Sequence, residues 1–128
     1  MFTPKSSFSG FSVNDLNKAR EFYAQTLGLS VDQESERLLI HLPGGGTVFA
    51  YPKNDHQPAT FTILNFRVDD IDQAVDELTQ RGVQFERYAQ IPHMDDKRIM
   101  RGRAHNMGPD IAWFADPAGN ILAVVQDA

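Results

Sequence analysis

One stretch of this sequence occurs twice. Phe11-Ser-Val-Asn-Asp-Leu-Asn-Lys-Ala19 matches Phe66-Arg-Val-Asp-Asp-Ile-Asp-Gln-Ala74 at an offset of 55 residues. Phe, Val, Asp and Ala recur identically, and Leu16 pairs with Ile71, Asn14 with Asp69 and Asn17 with Asp72. Glu21 then pairs with Asp76 and Gln25 with Gln80, and each copy soon reaches a glycine, Gly28 and Gly82. An internal repeat constrains a fold strongly, because each copy is one supersecondary unit that cannot bury its apolar face alone.

Each copy has the same grammar. Residues 8–13 alternate, with Ser9, Phe11 and Val13 on one face and Phe8, Gly10 and Ser12 on the other, which is the period of a strand. Asn14-Asp15 supplies an N-cap, and Leu16, Ala19, Phe22, Tyr23 and Leu27 follow at helical spacing until Gly28. In the second copy Leu64, Phe66 and Val68 alternate with Ile63, Asn65 and Arg67. Asp69-Asp70 caps, Ile71, Ala74, Val75 and Leu78 make the stripe, and Gly82 stops it.

Short strand-like runs follow each helix. In the first half they are residues 29–33, 37–42 and 47–51, the last two separated by Pro43-Gly-Gly-Gly46. In the second half they are 83–88, 111–115 and 121–126, with Asp116-Pro-Ala-Gly-Asn120 as the final turn. The reading is α+β: two tandem βαβββ modules forming a curved mixed sheet around a central cleft, with helices on the outer face. At 128 residues the chain fits a single domain, with module one at about 6–52, a linker at 53–60 and module two at 61–127. The halves differ in one respect. Residues 90–109 have no counterpart in the first half and no clear period, and read as a lid over the pocket.

Composition excludes several functions. There is no cysteine, so disulfides, thiolate nucleophiles and Cys-ligated zinc are ruled out together. A net charge of −5 argues against a nucleic-acid partner. The first ten residues show no signal-peptide pattern and no apolar run reaches membrane length, so no membrane partner and a cytoplasmic location are expected. Lys97, Arg98, Arg101 and Arg103 form a basic cluster that reads as a solvated loop, with an anchor for a small anion as the functional alternative.

Val13-Asn-Asp-Leu16, then Phe22-Tyr23 and Leu27-Gly28-Leu29, resembles the opening module of the vicinal oxygen chelate superfamily, which includes glyoxalase I, extradiol dioxygenases and bleomycin-resistance proteins. Trp113-Phe-Ala-Asp-Pro-Ala-Gly-Asn-Ile-Leu122 resembles its second signature. The resemblance covers nearly the whole chain and is specific for fold rather than for reaction. It implies four strand positions that hold a divalent metal in the family's enzymes. Here they fall on Phe8, Phe49, Ile63 and Ala123, none of which carries an imidazole or oxygen donor in its side chain. No metal or other cofactor is therefore expected. The cleft reads as apolar, with Ser12, Asn65 and Arg67 as polar neighbours, and suits a small, aromatic or hydrophobic molecule.

The remaining groups are read individually. Trp113, the only tryptophan, is either a core aromatic or a stacking platform. Arg67 suits solvent, an ion pair or a ligand carboxylate. His56 reads as solvated and His41 as structural or at the pocket edge. His93 and His105 bracket the extra segment, where a cryptic site with Asp95, Asp96 or Asp110 is conceivable. Three functions follow. The first is a metal-free binding module with a ligand set of Phe8, Ser12, Phe49, Ile63, Asn65, Arg67, Trp113 and Ala123. The second is a lyase, isomerase or dioxygenase of the same superfamily using His41, His105, Glu34 or Asp95. The third is a dimerisation scaffold. The resemblance also implies a homodimer.

Overall fold

The computed structural model describes residues 1–128. They divide into two compact units, Met1–Pro58 and Ala59–Ala128. No helix is long and apolar enough to cross a membrane.

The first unit contains β1 (Ser9–Val13), α1 (Leu16–Glu21), β2 (Ser30–Glu34), β3 (Arg37–His41) and β4 (Thr47–Pro52). Its sheet runs β1-β4-β3-β2, with β1 parallel to β4 and the other pairs antiparallel. The Asp15 carboxylate accepts from the Lys18 N–H at 3.0 Å and starts α1. The apolar stripe predicts a continuous α-helix to Leu27, but the helix widens to a π turn over Phe22–Thr26. There the Leu27 N–H bonds the Phe22 carbonyl at 2.9 Å, a five-residue step. The fully buried Tyr23 lies in this turn, 5.7 Å from the Phe11 ring. Phe11, Val13, Leu38, Ile40, Val48 and Ala50 are buried with Ala19 and Tyr23, so one face of this sheet packs under α1. Gly44, Gly45 and Gly46 all take positive φ, and the Leu42 N–H closes the turn on the Gly46 carbonyl at 3.1 Å.

The second unit contains β5 (Thr62–Arg67), α2 (Ile71–Gln80), β6 (Met100–Arg101), β7 (Asp110–Ala115) and β8 (Ile121–Gln126), in the sheet order β5-β8-β7-β6. Asp70 caps α2 through the Gln73 N–H at 3.1 Å. The Ile71 N–H donates to the side-chain oxygen of Gln126 at 3.0 Å, which fastens the helix start to the end of β8. Ile71, Val75, Ala112, Phe114, Leu122 and Val124 form the core between α2 and the sheet. Asp116 organises the β7–β8 turn: one carboxylate oxygen accepts from the Ala118 and Asn120 N–H groups, both at 2.9 Å.

One expectation fails here. Residues 83–88 do not form a strand. Only Phe85 bridges β7, opposite Phe114, and the Glu86 N–H bonds the Trp113 carbonyl at 2.8 Å. The Phe85 carbonyl instead accepts from the Arg98 guanidinium at 2.9 Å. The remaining edge of β7 is taken by β6, which pairs Met100 with Ile111 and Arg101 with Asp110. The edge strand of the repeat is thus cut in two, with residues 87–99 between the pieces.

The segment 90–109, read from the sequence as a lid, carries regular structure of its own. It contributes β6 and a 3₁₀ turn, Arg103–His105. Ile99 is fully buried, Met94 bridges Met100, and the Arg101 N–H bonds the His93 carbonyl at 2.9 Å. Three of its four cations are ion-paired rather than free in solvent: Arg101 with Asp72 and Asp95, Lys97 with Asp72 and Asp76, and Arg103 with Asp110.

Candidate functional site

Residues paired across neighbouring strands share a face, so register decides what lines the side of each sheet opposite its helix. In the second unit Trp113 pairs with Ala123, which pairs with Asn65, and these three lie in a row on that face. Ala123 is fully buried between its two neighbours. The register of β5 against β8 shifts between Thr62 and Leu64, leaving Ile63 in the irregularity. The shift makes Thr62, rather than Ile63, the partner of Trp113: the indole N–H donates to the Thr62 hydroxyl at 3.1 Å. Strict alternation could not reveal this, because a bulge adds one residue and reverses the faces beyond it.

Trp113 is a wall of a cavity of about 220 Å³ whose other lining includes Thr62, Phe61, Tyr88, Ile91 and Ile121. Tyr88 stands edge-on to the indole, with centroids 5.8 Å apart and planes at 70°. Burial, then the nearby Glu86 charge, raises the Tyr88 phenol above its usual range, so it stays protonated at neutral pH. Phe61 remains two-thirds exposed at the mouth. The arrangement is an indole held in one orientation by a hydroxyl, with the phenol ring of Tyr88 steeply inclined to it. The residues that sequence reading missed are Thr62, Tyr88, Phe61 and Ile91. Tyr88, an aromatic closing the alternating run 83–88, was the one visible signal.

In the first unit the corresponding face carries Gly10, Ser12, Phe49 and Tyr51, joined by β1–β4 register. Phe8 lies outside the strand and is largely exposed, its ring 4.7 Å from Phe49. Arg37 lies over the Phe49 ring at 4.7 Å, a cation–π contact. Ser12 is hydrogen-bonded to His56 at 2.6 Å, so that histidine is engaged rather than simply solvated. Arg67, at the end of β5, is exposed and paired with Asp127 at 3.0 Å.

The groups considered for catalysis are each engaged within their own unit. His41 meets Asp32 at 2.8 Å on an exposed part of the first sheet, and Glu34 lies 3.6 Å from Arg37. Burial pushes the Asp95 carboxyl upward, but hydrogen bonds from the Ile99 N–H and the Arg101 guanidinium outweigh it and hold the group below its usual range. His93 and His105 do come together, with ring centroids 3.7 Å apart and planes 15° from parallel. Stacked rings point their nitrogen lone pairs side by side rather than at one ion, so the pair is not a chelate.

The positions that the family resemblance assigns to metal ligands carry no donor side chains. Phe8, Phe49, Ile63 and Ala123 offer only carbon side chains, with no imidazole or oxygen donor among them. No group of three or more His, Asp or Glu side chains is arranged around a common ion position.

Residues 8–124 match the model of the Glyoxalase/Bleomycin resistance protein/Dioxygenase superfamily. No curated protein matches the chain. Among solved structures, the chain resembles TnmS3, an antibiotic binding protein from Streptomyces sp. CB03234, at 24% identity and a TM-score of 0.67, covering 99% of this chain and 100% of that one. A glyoxalase family protein from Bacillus anthracis matches at 17% identity and a TM-score of 0.67 over 100% of both chains. A member of the superfamily from Sphaerobacter thermophilus DSM 20745 matches at 25% identity and a TM-score of 0.64, covering 94% of this chain and 97% of that one.

Proposed function

The chain belongs to the glyoxalase/bleomycin resistance protein/dioxygenase superfamily, and from that premise we propose that it is a binding protein which holds a small planar aromatic molecule against Trp113 without a metal. The observation that carries this is the fixed indole. Its N–H is occupied by Thr62 and its edge is buttressed by Tyr88, which leaves it to serve as a stacking surface on one wall of an open cleft. A cavity of about 220 Å³ is smaller than the ~300–1,000 Å³ that drug-sized ligands occupy. It suits one or two fused rings, or one ring-bearing arm of a larger molecule. One structural relative, TnmS3, is an antibiotic binding protein; that likeness supports the fold, and the indole supports the ligand class. Carbon-only side chains at the four metal positions support the metal-free part. The exposed rings of Phe8 and Phe61 support self-association to a homodimer, which sedimentation equilibrium would test.

The single tryptophan is a built-in reporter. Titration with naphthalene- and indole-type compounds is expected to give saturable quenching, while saturated analogues of the same size give none. Trp113→Leu keeps apolar volume, and is expected to weaken binding, read by calorimetry, roughly 2- to 10-fold, since an aromatic pair is worth about 0.5–1.5 kcal/mol. No saturable response from any planar aromatic at millimolar concentration would overturn the reading. Untagged protein is expected to carry far less than one divalent metal per chain by elemental analysis. Close to one per chain would favour a superfamily enzyme instead.

A further inference from the structure

The larger cavity lies elsewhere, against α2 rather than on the opposite side of the sheet. It measures about 460 Å³, and its walls come from α2 (Val75, Asp76, Thr79), the following segment (Val83, Gln84, Phe85) and the insertion (Asp96, Lys97, Arg98). Val75, Val83 and Phe85 are buried and form an apolar floor. The rim is charged. Of its two cations, Lys97 is neutralised by Asp72 at 3.1 Å and Asp76 at 3.0 Å. Arg98 is different. Its backbone is left-handed, with φ at 65°, and its N–H bonds the Asp95 carbonyl at 3.0 Å, while its side chain makes one hydrogen bond, from Nη1 to the Phe85 carbonyl at 2.9 Å. That bond fixes the guanidinium at the rim yet uses one of five N–H donors and no carboxylate.

We propose that this cavity is a second binding site, separate from the Trp113 cavity, for a small apolar monocarboxylate whose carboxyl group pairs with Arg98 and whose body lies on Val75, Val83 and Phe85. A planar guanidinium anchored through one arm presents the remaining donors in the geometry a carboxylate accepts. The cavity volume lies within the range of small-ligand sites. Asp76 and Asp96 on the same rim disfavour multiply charged anions, so phosphate and dicarboxylates are excluded from the class. Nothing in this site draws on Trp113, Thr62 or Tyr88.

The test is ¹⁵N-resolved NMR of the full chain with hexanoate and phenylacetate, against hexanol, 2-phenylethanol, succinate and inorganic phosphate. Saturable shifts of the Val83, Gln84, Lys97 and Arg98 amides are expected with the two carboxylates, at least about tenfold tighter than with the alcohols. Arg98→Gln is expected to abolish that preference while leaving the weak alcohol response in place. Thr79→Trp, which fills the mouth from α2 and leaves Arg98 untouched, is expected to abolish binding of all four apolar probes. Equal response to alcohols and carboxylates, tight binding of phosphate or succinate, or shifts confined to Trp113 and its neighbours would each overturn the proposal. Failure of aromatic ligands at Trp113 would leave these shifts unchanged, so the two sites are judged separately.

Discussion

Arg101 grips Asp72 with both ends of its guanidinium: Nη1 and Nη2 donate to the two carboxylate oxygens of Asp72 at 2.9 and 2.7 Å. The same arginine reaches Asp95 through Nε at 2.7 Å. One side chain therefore ties the insertion to α2 and to itself. A lone exposed pair contributes at most about 1 kcal/mol, but a bidentate pair within a network is better placed. Arg101→Met is expected to cost about 1 kcal/mol in urea unfolding. It should also speed tryptic cleavage after Lys97 and Arg98 well beyond any change elsewhere. Unaltered cleavage would mean that Ile99, with Lys97 and Arg98, holds the segment without Arg101.

The same carboxylates set an acid dependence. Hydrogen bonds from Arg101 and then Lys97 hold Asp72 well below the usual carboxylate range, and Asp95 is also lowered. A group whose folded value is depressed stabilises the fold fully above its unfolded value of about 3.9 and loses that contribution as pH falls through and below it. The stability gap between wild type and Asp72→Asn should therefore be constant from pH 7 to 5 and narrow below about pH 4. A gap unchanged down to pH 2.5 would remove Asp72 from the acid response.

Thr62→Val keeps the shape of the side chain and deletes the acceptor for the Trp113 indole. A lost hydrogen bond of this kind costs about 0.5–1.5 kcal/mol. Thr62→Ser should restore most of it. The indole N–H resonance should move in the Val variant and return in the Ser variant. An indole resonance indifferent to both would place the bond outside the native ensemble.

Gly102 is buried where β6 meets the 3₁₀ turn, and a methyl group there would press into the Pro109 carbonyl and crowd those of Met107 and Gly108. Backbone cannot yield as a flexible side chain can. Gly102→Ala is expected to cost about 1–3 kcal/mol, the range for overpacking, read as a lowered urea midpoint.

Much of this fold was legible because the repeat is written in local signals. Asp70, the stripe Ile71-Ala74-Val75-Leu78 and Gly82 bracket α2 almost to the residue. Local rules failed where a distant group intervened. The run 83–88 has the alternation of a strand, with Val83 and Phe85 buried. But Arg98, thirteen positions on, takes the Phe85 carbonyl, and β6 arises from residues with no strand-like period. Thr62 was hidden by the register shift in β5, and the π turn after Glu21 by a stripe that suits either helix. Trp113 was visible as a choice between core and platform. Its bond to Thr62 and the cavity beside it required the register of three strands.

The divided edge beside β7 separates two properties that a continuous strand would couple. Phe85 and Glu86 fix one end of the alignment, Met100 and Arg101 fix the other, and residues 87–99 contribute nothing to either pairing. Chain added at residues 89–92, ahead of the contacts that His93, Met94 and Asp95 make with β6, would lengthen the segment without entering either pairing. The break is an insertion port: a place where this architecture can acquire new recognition surface while the scaffold that carries it stays the same.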